Sequence, residues 1–219
     1  MAALDYRRRT GKGQWIDLAQ FEAAIHFLGA WYLDYFFNGR VTPAQGNKEP
    51  NAAPHNAYPC RGDDRWCVIA VYTDEEWKNF CDVIGNPPWT NDPKFSTLLA
   101  RKENEDELDR LIGEWTKDYL AEEVMHLMQA RGVAAGVVEI VHDMYADPQM
   151  NHRDMHVMLN HTEIGLVAYD GIAHKLSKTV GNPWMAAPCL GEHTGYLCKE
   201  VLGMTDDEIA DLMAEGVFE

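Results

Sequence analysis

Hydrophobic positions recur at spacings of three and four over residues 18–38, where Phe21, Ile25, Leu28, Tyr32 and Tyr35 or Phe36 share a face and predict one long helix. Ala19, Ala23, Ala24, Gly29 and Ala30 keep part of it narrow enough for close packing. Its aromatic run of Trp31, Tyr32, Tyr35, Phe36 and Phe37 is denser than one helix face of a small domain buries, which leaves two readings: a contact with another domain or subunit, or a thick local core. Residues 1–11 read as the end of a helix, with Arg7, Arg8 and Arg9 in the last turn and Gly11 at the stop. No capping residue precedes them, so they are either a frayed helix docked on the core or the last turns of a longer one.

From 38 to 59 periodicity vanishes in a stretch rich in Gly, Pro, Asn and Ala, which predicts a long loop. Alternation returns in 58–60 and 66–72, a hairpin around Arg61-Gly62-Asp63-Asp64-Arg65. Thr73 or Asp74 caps a helix running to Ile84, with Glu75 and Glu76 in its first turn and Gly85 after it. Residues 102–118 and 120–131 are amphipathic helices, the second closed by Gly132, and 133–140 is a buried strand. A short helix opens at Asp147-Pro148. Strand-like pieces follow at 156–160, 163–167 and 172–176, then a Pro and Gly loop over 181–191 and two helices at 194–202 and 206–215. Thr205-Asp206-Asp207-Glu208 is a capping sequence for the last. No repeat of 20 to 50 residues is visible, which excludes a solenoid.

Composition narrows the function. The 219 residues include 35 acidic and 19 basic side chains, for a net charge of −16, and Arg7, Arg8, Arg9 and Lys12 all precede Trp15. The rest of the chain repels polyanions, so nucleic acid is not an expected partner. Apolar runs such as 66–72 and 133–138 fall well short of the roughly 20 residues of a membrane helix. The basic cluster follows the apolar start, the reverse of a secretory signal. A soluble, cytoplasmic protein with no membrane partner is expected. The cysteines Cys60, Cys67, Cys81, Cys189 and Cys198 are scattered without a C-x-x-C pair and read as reduced thiols.

Motifs that announce chemistry by themselves are missing: no G-x-S-x-G, P-loop, G-x-G-x-x-G or H-E-x-x-H occurs. Gly11-Lys12-Gly13 lacks the preceding strand that a phosphate-cradling loop requires. His142, His152, His156 and His161 cluster in sequence, and His152 and His156 share a face if helical. Arg153 and Asp154 interrupt them, and no metal site is expected. Glu192 and His193 lie just before a helix, where a capping carboxylate is the favoured reading over an acid–base pair.

Five segments taken in order carry a resemblance. They are Arg9-Thr10-Gly11-Lys12-Gly13-Gln14-Trp15-Ile16-Asp17-Leu18-Ala19; Tyr58-Pro59-Cys60-Arg61-Gly62 leading into 66–70; Gly132-Val133-Ala134-Ala135-Gly136-Val137-Val138; Asp147-Pro148-Gln149; and Ala187-Pro188-Cys189-Leu190-Gly191-Glu192-His193-Thr194. In order and approximate spacing the chain resembles the class III CoA-transferases, a group that includes formyl-CoA transferase, the carnitine and bile-acid CoA-transferases and the related acyl-CoA racemases. The resemblance implies an α/β fold: part of a Rossmann-like large domain built from both chain ends, a small α+β domain inserted between them, and two chains interlocked as rings. Residues 1–17 then end an N-terminal large-domain segment, 18–57 are long helix and linker, 58–141 the small domain, and 142–219 the return to the large domain.

The implied activity is transfer of CoA between an acyl-CoA and a carboxylic acid through an aspartyl intermediate. No bound cofactor or metal is implied, since coenzyme A thioesters are substrates. The nucleophilic aspartate of the family lies on the helix entering the Thr10-Gly11 turn, about a dozen positions before Met1 counted along a helix, so no catalytic residue falls on this chain; Asp5 is too close to the turn. Gln20, Asn51, His55 and Tyr58 are the implied substrate- or CoA-binding residues. The implied partners are acyl-CoA, a carboxylic acid, and a second chain as homodimer or as heterodimer with a full-length homologue.

Two departures matter. Formyl-CoA transferases carry a glycine-rich flap near residues 46–53, but Lys48-Glu49-Pro50-Asn51-Ala52 has no glycine for φ > 0, which argues against formyl and oxalate chemistry. The racemase branch places a catalytic glutamate where Thr73 stands, with Glu75 and Glu76 nearby, so transferase is favoured over racemase. The expectation is the C-terminal portion of a CoA-transferase. The alternatives are a non-catalytic subunit paired with a full-length homologue and a fragment of an α-methylacyl-CoA racemase.

Overall fold

A computed structural model describes residues 1–218. The chain divides into two compact units, Met1–Val137 and a second beginning at Val138, with mixed α and β content in each.

In the first unit the hairpin forms as the alternation predicts, but β1 (His55–Pro59) starts three residues early and pairs antiparallel with β2 (Trp66–Ala70), His55 opposite Ala70 and Tyr58 opposite Cys67. The period of two sends Tyr58, Cys67, Ile69 and Val71 to a buried face and leaves Val68 and Trp66 on an open one. β3 (Ala134–Val138) lies beside β2 at the edge of the order β1-β2-β3. The expected buried strand over 133–140 is thus shorter and half-exposed, because an edge strand with one uncovered face buries few side chains.

Helices cover the other face of the sheet. α4 (Asp74–Val83) begins at a capping box: Thr73 Oγ1 accepts the Glu76 N–H at 3.1 Å, and Glu76 Oε2 accepts the N–H groups of Thr73 and Tyr72 at 3.0 and 2.7 Å. The helix expected from 102 is two helices, α5 (Leu98–Glu103) and α6 (Glu105–Thr116), broken at Asn104. The Asn104 amide donates to the Ala100 and Lys94 carbonyls, competing with the backbone ladder. α7 (Ala121–Gln129) completes the layer. Tyr58, Ile69, Phe80, Leu108, Ile112, Val124 and Met128 meet in one hydrophobic core.

Arg101, fully buried, is fixed inside this layer. Its Nε donates to the Ala53 carbonyl at 2.8 Å and Nη1 to the Phe95 carbonyl at 3.3 Å, while the guanidinium lies 4.7 Å from the Trp77 ring centroid and reaches the exposed Asp74 at 3.4 Å. A delocalised fork with several donors satisfies two buried carbonyls and an aromatic face at once, which a lysine cannot do.

Ahead of this layer, α1 (Ala2–Thr10) ends at Gly11 with φ +72°, as the Arg-rich last turn predicts. It buries no residue, so it is not docked on the core. The expected helix over 18–38 is interrupted: α2 (Gln20–Ile25), a 3₁₀ turn (His26–Leu28) and α3 (Gly29–Asn38). None of the three buries a residue, and Phe36 and Phe37 are 76% and 82% exposed, so the thick local core does not form.

The second unit contains α8 (Val141–Ala146), which the pattern did not announce, and α9 (Pro148–His152), capped by Asp147 through the Met150 N–H at 2.6 Å. β4 (His156–His161) and β5 (Gly165–Asp170) pair antiparallel. The strand expected over 163–167 is shifted because Glu163 and Ile164 belong to a turn in which His161 Nδ1 accepts their N–H groups. The strand expected over 172–176 does not form; β5 ends at Asp170 and the next residues have no strand partner. α10 (Thr194–Tyr196) continues as a π turn (Leu197–Val201), and α11 (Asp206–Ala214) starts at the Thr205–Glu208 capping box. Cys198 is the one buried residue of this unit among those described. Among the described residues no helix is long and apolar enough to cross a membrane.

Candidate functional site

The site is built from one turn of α6. On that helix Glu105, Leu108, Asp109, Ile112 and Thr116 recur at the spacing of a single face, and that face is turned to the sheet, so Asp109 sits beside the buried Leu108 and Ile112. Its carboxylate accepts the Tyr58 hydroxyl at 2.6 Å and the Asn56 amide at 2.8 Å. Burial first, and then the neighbouring Asp109 charge, push the Tyr58 hydroxyl far above the ordinary tyrosine range, so it stays a donor. Asn56 Oδ1 in turn accepts the Asn47 amide at 3.0 Å and the Ala57 N–H at 2.8 Å. The chain of contacts thereby reaches from a helix, through a strand, to the loop before it.

That loop, residues 46–49, is also tied by Lys48, whose ammonium is 2.5 Å from Asp106 and 3.7 Å from Glu105. The Lys48 hydrogen bond draws the Asp106 carboxyl below the usual carboxylate range and raises Lys48. The carbonyl of Asn47 meets His55 Nδ1 at 2.5 Å. A carbonyl can only accept, so Nδ1 carries the proton and the tautomer of His55 is set. The His55 ring also packs edge-on against Tyr72, with centroids 6.0 Å apart.

Between this loop and the open face of the sheet lies a cavity of about 670 Å³. Its walls are 46–49, His55, Asn56, 68–70 and 134–136, so the His55 imidazole lies between a polar loop and small, apolar strand residues. The size is that of ordinary small-molecule sites. Of the four residues singled out from sequence, His55 lines the cavity. Tyr58 lies three positions along the same strand, buried in the core with its hydroxyl on Asp109. Gln20 begins α2 and Asn51 sits in the turn flanked by the Glu49–Ala52 bridge; both are exposed and neither is a wall of the cavity.

Asn47, Asn56 and Asp109 went unnoticed in the sequence. The signal for Asp109 was present, a carboxylate at a core-facing helical position, whereas Asn47 and Asn56 gain meaning only when hairpin and loop meet. Other candidate chemistry is used up or scattered. His152 ends a helix and His156 opens a strand, so they do not share a helical face. Glu192 accepts the Cys189 N–H at 2.6 Å, a turn-capping role. All five cysteines are free thiols, and burial pushes Cys67 and Cys81 up to about 12, which removes them as nucleophiles.

Comparison with known proteins agrees along the whole chain. The family model for CoA-transferase family III matches residues 1–194. The chain is 32% identical over 218 residues to succinyl-CoA–D-citramalate CoA-transferase of Chloroflexus aurantiacus, covering 100% of this chain and 54% of that protein. It is 26% identical over 220 residues to the succinyl-CoA–L-malate CoA-transferase beta subunit of the same organism, again 100% of this chain and 54% of the relative. A crystal structure of a CAIB/BAIF family protein from Brucella suis superposes with a TM-score of 0.79 at 28% identity, covering 91% of this chain and 51% of that one. The chain spans about half the length of the curated relatives it matches. Because the match takes in the cavity-bearing unit and most of the unit that follows, the chain belongs to CoA-transferase family III.

Proposed function

We propose that this chain is the C-terminal portion of a CoA-transferase that moves CoA from succinyl-CoA to a second dicarboxylic acid. The observation that carries the reading is the match of the entire chain to about half of a transferase named for succinyl-CoA and D-citramalate, with 32% identity. The nucleophile is an aspartate supplied by polypeptide outside these residues. It attacks the thioester to give an acyl-aspartyl anhydride and free CoA thiolate; the thiolate attacks the aspartyl carbonyl, forming an aspartyl-CoA thioester and releasing the donor carboxylate. The acceptor carboxylate attacks that thioester to give a second mixed anhydride and CoA thiolate, and the thiolate takes the acceptor's acyl group and frees the aspartate. Covalent catalysis divides one difficult exchange into acyl transfers between activated carbonyls. Backbone donors answer each oxyanion.

On this reading 1–17 and 142–219 belong to a Rossmann-like large domain, 18–57 to a linker and 58–141 to the small domain of an interlocked dimer. The exposed aromatic faces of α2 and α3 support a contact with another domain or subunit. Asn51 and Gln20 are assigned to the substrate or CoA through segments the cavity does not include, and Tyr58 holds the site in place from behind. The five free thiols accord with a reducing, cytoplasmic location. Of the two glutamates near the racemase position at Thr73, Glu76 has its carboxylate engaged by two backbone N–H groups as a helix cap, which removes it as a racemase base. A non-catalytic subunit is the second reading, favoured by the relative named as a beta subunit.

Sequencing the DNA upstream of Met1 and assaying the chain with its upstream half tests this. We expect ¹⁴C-labelled dicarboxylic acids to acquire CoA from succinyl-CoA, and hydroxylamine to trap the aspartyl thioester. Loss of α-proton stereochemistry without CoA exchange points instead to a racemase, and an in-frame stop with its own ribosome site points to the separate subunit.

A further inference from the structure

His55 is an imidazole whose freedom has been removed on one side. Its Nδ1–H is held by the Asn47 carbonyl at 2.5 Å, Asn47 is held by Asn56, and Asn56 by Asp109. Nε2 has no protein hydrogen-bond partner among the described residues, and the ring lines the cavity. Such an arrangement leaves a single nitrogen for a ligand. With Nδ1 already protonated, neutral His55 offers only a lone pair at Nε2; once protonated it offers a charged N–H.

The surroundings select among anions. Lys48, the other cation at the cavity wall, is paired with Asp106 and Glu105, and Glu49 adds a negative charge on the same loop. Tyr72 meets the ring edge-on, while the walls contributed at 68–70 and 134–136 are Val, Ile, Ala and Gly and carry no titratable group. A polyphosphate brought here meets the acidic groups around Lys48 and no charge from the apolar walls. One carboxylate on one imidazolium, with methylenes against small apolar walls, fits.

We propose that His55 is a specificity-determining residue: as an imidazolium it holds the distal carboxylate of a dicarboxylic acyl chain in this cavity. The identity of the acyl chain rests on the transferase reading; the carboxylate site rests on the geometry. Asn47 and Asn56 are positioning residues that aim the ring.

Titration calorimetry of the whole chain with succinate, in two buffers of different ionisation enthalpy at pH 6 and pH 8, tests it. Succinate is expected to bind with little proton uptake at pH 6, where imidazoles are mostly charged already, and at pH 8 at least about tenfold more weakly and with proton uptake, since imidazoles lose their charge over that range. The neutral isostere succinamide is expected not to bind. His55→Gln should lower affinity at pH 6 to the pH 8 level and abolish the pH dependence, and the imidazole ¹⁵N signals of the unmodified chain give the same readout without a substitution.

Succinyl-CoA and acetyl-CoA then identify the source. A pH dependence with succinyl-CoA that acetyl-CoA lacks assigns the carboxylate to the thioester's acyl chain, whereas the same dependence with succinate alone assigns it to the free acid. Absence of binding by both succinate and succinyl-CoA, binding at pH 8 without proton uptake, an unchanged His55→Gln profile, or an acetyl-CoA response equal to that of succinyl-CoA overturns the proposal. CoA exchange with an indifferent His55 removes this inference alone. Succinate binding at His55 without exchange in any assembly removes the transferase reading instead.

Discussion

Replacing Arg101 with alanine is expected to lower folding stability by about 4 kcal/mol, at the upper end of what single substitutions do. The loss has three sources: the buried carbonyls of Ala53 and Phe95 lose their donors, the Trp77 face loses its cation, and a void opens in the core. The ion pair to Asp74 adds little, because that carboxylate is exposed. Arg101→Lys retains charge and part of the volume but cannot serve two carbonyls in one plane, so about half of the loss remains. Urea unfolding followed by tryptophan fluorescence measures both. A loss below about 1 kcal/mol for the alanine variant would show that water takes over the carbonyls and that the guanidinium is dispensable.

Asp109→Ala is expected to cost about 3 kcal/mol and to release the cavity loop at the same time. It strands the Tyr58 hydroxyl in the core without an acceptor and frees Asn56, and through it Asn47. Tyr58→Phe is milder, about 1 kcal/mol, since it removes the donor and leaves Asp109 its amide partner. In the double variant the penalty of the stranded hydroxyl disappears, so the two changes together cost about 1 kcal/mol less than their sum. Hydrogen exchange over residues 46–49 should rise in Asp109→Ala and stay unchanged in Tyr58→Phe.

The same pair has a pH signature. The folded chain keeps the Tyr58 proton that the unfolded chain gives up near pH 10, about the free tyrosine value. Above that pH the unfolded state binds fewer protons than the folded one, so stability falls as pH rises. Tyr58→Phe removes this part of the alkaline slope.

Local chemistry was legible in the sequence where one segment contains its whole cause. Thr73 with Glu76 and Thr205 with Glu208 cap their helices through residues three apart, and Asp147-Pro148 opens α9 in the same way. The hairpin could be read because its turn and its alternation lie side by side. Elements failed to follow the pattern where a side chain competes with the backbone, as Asn104 does between α5 and α6, or where nothing packs on a helix to hold it straight, as at the 3₁₀ turn His26–Leu28 before Gly29. The site lay between these extremes. His55 was reached by resemblance, but the network that aims it joins residues more than fifty positions apart, and pairing of that range is invisible until the sheet and α6 meet.

Among the described residues, the confinement of fully buried side chains to 52–133, with Cys198 as the exception, carries a thermodynamic consequence. Heat capacity of unfolding scales with the apolar surface newly hydrated, at about 12–15 cal/mol/K for each residue of an ordinary folded chain. Here the fully buried part of that surface lies in a span of roughly 80 of the 219 residues. The heat capacity of unfolding is therefore expected to fall below that of an ordinary chain of this length, with a correspondingly flatter and broader stability curve.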